Sequence, residues 1–251
     1  MNIYGLIGYP LTHSFSAQFF NNKFINEKIE AEYLNFEIKD ILELRRVILF
    51  NPHLRGLNVT IPYKESVLPF LNNLSTEAER IGAVNVIKID RKPDDMYFFK
   101  LTGYNTDYIG FRDSILPFIR SDIHKKALIL GTGGASKAVA YALADINIDY
   151  VYVSRSKKEK CITYDEISPE LMNDYKVIIN ASPVGTFPQV DNCPTIPYDL
   201  LTEDHLLYDL VYNPEETLFL KQGRERGAAT KNGKEMLELQ AITAWNIWND
   251  I

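Results

Sequence analysis

The sequence predicts an α/β protein built from two α/β units, on three observations. Short apolar runs alternate with longer amphipathic stretches throughout, as strands joined by crossover helices do. The length of 251 residues exceeds that of a typical single domain and suits one large or two modest ones. A glycine-rich turn, "GTGG" at 131–134, lies between a continuous apolar run and an alanine-rich helical run, the arrangement of a buried parallel strand feeding a helix.

Along the chain, "NIYGLIGY" reads as a strand and "FSAQFFNNKFINEKI" as an amphipathic helix with Phe19, Phe20, Phe24 and Ile25 on one face. "AEYLNFEI" is a strand, "DILELRRVIL" a helix, and "LRGLNVTI" a half-buried strand in which Leu57, Val59 and Ile61 alternate with Asn58 and Thr60. Helical stretches follow around "KESVLPFL" and "STEAERIG". "AVNVIKID" and "MYFFKLTGYN" then form a strand pair joined by the turn-prone "RKPDD". After the predicted helix "NTDYIGFRDSILPFI", a second alternating unit runs through strands "KALILG", "YVYVSR", "KVIINAS" and "HLLYDLVY" and helix "GGASKAVAYALAD". The final "GKEMLELQAITAWNIWND" is a helix with Met236, Leu237, Gln240, Ala241, Ala244 and Trp248 near one stripe. The boundary between units is expected near residues 105–125. Both sheets are expected to be mainly parallel and twisted, with helices covering them.

Composition narrows the function. Apolar residues make up 46% and charged residues 24%, and the net charge is -6; a nucleic-acid partner would call for a basic surface instead. Two cysteines outside any CxxC argue for a reducing compartment. Four scattered histidines offer no metal-ligand spacing. "MNIYGLIGYP" lacks a basic leader, and no run approaches the ~20 apolar residues of a membrane helix. The expectation is a cytoplasmic protein without metal, membrane or nucleic-acid partner.

The glycine turn suggests a dinucleotide. Gly131, Gly133 and Gly134 would allow a tight turn and a close backbone approach to a pyrophosphate at a helix N-terminus. The full G-x-G-x-x-G is absent, because Ser136 occupies the third glycine position, and an ordinary strand-to-helix connection would also account for such a turn. The next strand ends in Ser154, Arg155 and Ser156, followed by Lys157 and Lys158. An acidic residue there would bind the ribose 2′-hydroxyl of NAD; this cationic, hydroxyl-rich end suits a 2′-phosphate, so NADP is expected over NAD.

Polar residues also gather at strand ends in the first unit. Ser14 and Ser16 follow the first strand, where helix capping would explain them equally well. Asn58, Thr60 and Lys64 end another strand, and Asn85 lies between small and apolar neighbours, where an amide needs a partner. Asn105, Thr106 and Asp107 follow, with Asp107 also a natural N-cap. Each has an ordinary structural role open to it. Together they place hydroxyls, amides, one ammonium and one carboxylate at the edge where open α/β sheets bind ligands.

In "GYPLTHSFS", "NVTIPYK", "GAVNV", "GYNTDYIG", "GTGGASKA", "NASPVGT", "DLVYNP" and "GKEMLELQ", in that order from Gly8 to Gln240, the chain resembles the shikimate/quinate dehydrogenase family. That resemblance implies a substrate domain of residues 1–106 plus 236–251, a Rossmann-like NADP domain of 107–235 and a cleft between them. It implies reversible, NADPH-dependent reduction of 3-dehydroshikimate to shikimate on the route to aromatic amino acids, by a monomer or homodimer. By the same resemblance, Ser14 and Ser16 hold the substrate carboxylate. Asn58, Thr60, Lys64, Asn85, Asp107, Tyr212 and Gln240 bind the rest of the substrate, with Lys64 and Asp107 catalytic. Gly131, Thr132, Gly133, Gly134 and Ala135 hold the cofactor with Ser154, Arg155, Ser156 and Lys157, while Ser182, Leu210 and Gly233 lie on its nicotinamide side. Ala17 and Val86 replace a usual proline and threonine, and "SRS" stands where "NRT" is common. A dual-specificity quinate enzyme and a non-catalytic NADPH-binding regulator are the alternatives.

Overall fold

The computed structural model describes the backbone of residues 1–11, 15–92 and 95–251. The chain divides into two compact units, Met1–Thr106 with Gln240–Ile251, and Asp107–Leu239. The return to the first unit occurs at Gln240, inside the continuous helix Lys234–Asn249.

The first unit carries strands β1 (Asn2–Gly8), β2 (Ala31–Glu37), β3 (Leu54–Val59), β4 (Asn73–Leu74), β5 (Val86–Lys92) and β6 (Asp95–Tyr104) in the order β2-β1-β3-β5-β6-β4. β1 runs parallel to β2 and β3, and β4 runs parallel to β6. β5 is antiparallel to both neighbours, so Asn85, just before β5, lies beside the C-terminal end of β3.

The alternation in β3 predicted one buried face, but both are covered. Leu57 and Val59 face a core with Ile7, Ile48, Ile87 and Leu101. The opposite face packs against Tyr4, Phe20, Phe24, Tyr33, Ala244 and Trp248. Phe20 and Phe24 of helix Phe15–Asn26 belong to it, one helical turn apart; Ile25, placed with them on sequence, is 75% exposed. Ile61, placed with Leu57 and Val59, is likewise exposed, because the strand ends at Val59. A Cβ at Gly56 would fall within the Trp248 indole, whose Nε1 donates to the Ile87 carbonyl at 3.1 Å. Glycine at 56 therefore lets the C-terminal helix lie directly on β3.

The second unit carries β7 (Lys126–Leu130), β8 (Asp149–Ser154), β9 (Cys161–Thr163), β10 (Val177–Asn180), β11 (Leu206–Asp209) and β12 (Ala229–Lys231). Their order is β12-β11-β10-β7-β8-β9, and every pairing is parallel. This is the doubly wound Rossmann order, with its reversal point between β7 and β10. β7, β10 and β11 are buried on both faces, as their unbroken apolar runs require.

Candidate functional site

In the first unit the predicted polar residues converge on one hydrogen-bonded cluster. Asn58, Asn85, Thr106 and Gln240 are all at least 94% buried, and buried amides and hydroxyls persist only when bonded. Asn85 Nδ2 donates to Thr106 Oγ1 at 3.0 Å and to Gln240 Oε1 at 3.4 Å. The Thr106 backbone N–H donates to Asn85 Oδ1 at 2.6 Å, and Thr106 Oγ1 donates to the Gln240 carbonyl at 3.1 Å. Asn58 Nδ2 donates to the Asn85 carbonyl at 3.4 Å, while Asn58 Oδ1 accepts from Tyr33 Oη at 2.7 Å. Asn105 turns elsewhere and donates to the Ala83 carbonyl at 3.0 Å.

Thr60 stands immediately beyond β3, tied to the Ile7 carbonyl through its N–H at 3.0 Å. Lys64, half-buried, occupies the short helix Tyr63–Ser66. Its carbonyl accepts from the Val84 N–H at 2.7 Å, which ties that turn to the segment carrying Asn85. Ser16 is half-buried in the first turn of helix Phe15–Asn26. Ser14 lies outside the described residues. Asp107 begins helix Asp107–Ile115 and is 6% exposed; it opens the second unit. Tyr212, at 38% exposed, follows β11, and burial raises its phenol.

In the second unit, Gly131 leaves β7 at φ +117, a region that L side chains rarely adopt, and a Cβ there would press on the Ala181 carbonyl at 3.1 Å. Gly133 differs. Its φ is -84, and a Cβ would meet nothing within 4 Å, so the fold itself has no need of glycine at this position. It caps helix Gly134–Asp145, whose first turn receives no side-chain cap from it. An open backbone at a helix N-terminus fits a pyrophosphate, and Thr132, Gly134 and Ala135 complete that turn. Ser136, in the third glycine position, is fully buried and donates to the Gly133 carbonyl at 2.6 Å.

The basic loop sorts itself. Lys157 is paired with Glu166, whereas Lys158 Nζ donates to Thr132 Oγ1 at 3.0 Å, placing the second lysine against the glycine turn. Ser154 is buried and Arg155 exposed at the end of β8, with Ser156 beside them.

Ser182, Leu210 and Gly233 meet at the C-terminal ends of β10 and β11. Leu210 N–H donates to the Asn180 carbonyl at 3.0 Å, and a Cβ at Gly233 would collide with the Leu210 carbonyl. Sequence reasoning missed the pair that anchors these loops. Asn180 Oδ1 accepts from Ser182 Oγ at 2.6 Å, and Asn180 Nδ2 donates to Asp209 at 2.9 Å. Asp209 also accepts from Thr217 Oγ1 at 2.6 Å and the Val211 N–H at 3.0 Å. Burial pushes its carboxyl up to about 7, against the opposing pull of those donors. The cue available in sequence was an acid inside an apolar strand, in "HLLYDLVY". Among the described residues no group of histidine, cysteine and acidic side chains could hold a metal ion, and no helix is long and apolar enough to cross a membrane.

Comparison with known proteins follows this division. Residues 6–87 match the family model described as the shikimate dehydrogenase substrate-binding domain. The chain is 38% identical to the shikimate dehydrogenase (NADP(+)) of Carboxydothermus hydrogenoformans, over 98% of this chain and 91% of that protein. It superposes on the crystal structure of shikimate dehydrogenase from Aquifex aeolicus with a TM-score of 0.86 at 35% identity, covering 100% of this chain and 93% of the other. The Thermus thermophilus enzyme, crystallised with NADP(H) and shikimate, gives 0.83 at 28% identity over 100% and 94%.

Proposed function

The chain belongs to the shikimate dehydrogenase family, and on that premise we propose that it catalyses the NADP-dependent, reversible reduction of 3-dehydroshikimate to shikimate. The observation that carries the reading is the buried cluster of Asn58, Asn85, Thr106 and Gln240 at the end of an otherwise apolar sheet. Three amides and a hydroxyl so placed suit a polyhydroxylated ring.

In this reading Ser14 and Ser16 hold the substrate carboxylate, and Asn58, Thr60, Asn85 and Gln240 bind ring hydroxyls, with Tyr212 alongside. NADPH, when bound, supplies the hydride. Gly131–Ala135 receive the pyrophosphate, Ser154, Arg155, Ser156 and Lys157 the 2′-phosphate side, and Ser182, Leu210 and Gly233 the nicotinamide side. As the ring carbonyl becomes a hydroxyl, negative charge develops on its oxygen. Lys64 Nζ, donating to that oxygen, stabilises the charge, and the Asp107 carboxylate holds the same group in place. The protein acts in the cytoplasm on a small molecule, as a monomer or homodimer. The acidic net charge and the two free cysteines support that setting.

The test is the initial rate of nicotinamide reduction with shikimate and NADP, with NAD and quinate substituted in turn. Turnover of shikimate with NADP is expected. Turnover of quinate at comparable efficiency would move the assignment to the dual-specificity branch, and folded protein inert to every pair would overturn it.

A further inference from the structure

We propose that Tyr33 is a positioning residue for substrate, a phenol that orients the hydroxyl-binding amide of Asn58; this rests on the function proposed above. Tyr33 lies in β2, an edge strand, at 3% exposure. In register it sits beside Tyr4 of β1, which in turn sits beside Gly56 of β3. The Tyr33 side chain spans β1 and reaches Asn58, two residues beyond Gly56 along β3 on the same face. Its ring stacks on Phe20 with centroids 4.8 Å apart and planes 12° apart.

The hydroxyl donates its proton to Asn58 Oδ1 at 2.7 Å. That bond decides which end of the Asn58 amide faces which way: with Oδ1 committed to Tyr33, Nδ2 points to the Asn85 carbonyl at 3.4 Å and into the polar cluster. The phenol thus fixes the orientation of an amide proposed to bind substrate, and it does so without needing to touch the substrate.

The experiment is Tyr33→Phe in the full chain, with Asn58→Ala and the double variant completing a cycle. The phenyl ring keeps the Phe20 stack, and a circular-dichroism melt checks that the fold is retained. The expected result is a rise of about tenfold in KM for shikimate, the change that loss of one oriented hydrogen bond gives. KM for NADP should stay unchanged and kcat should stay within about twofold, a split that general loosening of the core would not produce. In the Asn58→Ala background the same change should raise KM less than twofold, because its effect passes through that amide. An unchanged shikimate KM in Tyr33→Phe, or an equal rise in both backgrounds, overturns the inference while leaving the proposed reaction intact. Wild-type protein that neither binds nor turns over shikimate overturns both.

Discussion

Lys64 and Gly133 are single residues whose chemistry makes opposite demands on the fold. Lys64 is half-buried on a four-residue helix whose backbone is bonded to the segment carrying Asn85, and that backbone bond survives truncation of the side chain. Lys64→Ala is expected to lower kcat by about 10²–10⁴-fold, the usual worth of a positioned proton or charge donor, with an unchanged circular-dichroism melt; near-normal turnover would remove Lys64 from the mechanism. Gly133 has open space where a Cβ would go. Gly133→Ser should therefore fold as well or slightly better, since serine caps a helix at least as well as glycine. Its hydroxyl would occupy the N–H groups proposed for the pyrophosphate, raising KM for NADP; an unchanged KM would show that the turn does not hold the cofactor. Asn58, Thr60 and Asn85 stood out in sequence as polar side chains in or at the ends of apolar runs, and Gln240 through the family resemblance. Tyr33 and Asp209 did not. A tyrosine in a strand reads as core, and the work of its hydroxyl depends on a strand two places away in the sheet.

Two histidines act at the level of elements, each fastening the entry to a strand of the second unit. His124, just before β7, accepts the Arg120 N–H at Nδ1 (3.0 Å), which leaves Nε2 to donate to the Asp204 carbonyl at 3.0 Å. His205, just before β11, accepts the Thr202 N–H at Nδ1 (3.0 Å) and donates from Nε2 to the Met172 carbonyl at 2.9 Å. Burial lowers both pKa values below the ordinary 6.5, and a proton added at Nδ1 would face an N–H donor. Above pH 6.5 the imidazoles are neutral folded or unfolded, and their contribution is complete. As pH falls through 6.5 the unfolded chain takes up protons first, so stability is lost. The raised carboxyl of Asp209 takes up its proton first in the folded chain and works in the opposite direction over this range. It is common to the native chain and His205→Gln, so the expected outcome is a loss of denaturant midpoint from pH 7 to 5 that is greater in the native chain; parallel changes would count against it. Elements were otherwise legible where apolar periodicity ran for five residues or more. β4, β9 and β12 span two or three residues and carry no pattern of their own. They are strands because a neighbour offers unpaired backbone groups, information that only the assembled sheet contains.

At the scale of the whole molecule, the chain leaves the first unit after Thr106 and re-enters it at Gln240, and these residues are hydrogen-bonded to each other within that unit. The two crossings are thus fastened together by the same buried polar cluster that is proposed to bind substrate. The sequence led us to expect the boundary between units within residues 105–125 and a last helix able to close back on the first; the re-entry point within that helix was not legible, because an uninterrupted apolar stripe carries no mark where one core hands over to another. With each unit closed upon its own sheet, cofactor choice can be tested as a property of the second. Arg155, exposed at the end of β8, is the residue whose guanidinium matches a 2′-phosphate, and Lys158 already lies against Thr132. A ligand at about 100 times its Kd adds about 2.7 kcal/mol to the state that binds it, which corresponds to roughly 5–10 °C in melting temperature for a unit of this size. NADP is expected to produce such a shift, and NAD at the same concentration a much smaller one. In Arg155→Ala the advantage of NADP should disappear while the small NAD shift remains, because only the 2′-phosphate distinguishes the two. Equal shifts in the unaltered protein would mean that the serine–arginine–serine end of β8 does not select the cofactor. Loss of both shifts in the variant would mean that Arg155 supports the loop and not the phosphate.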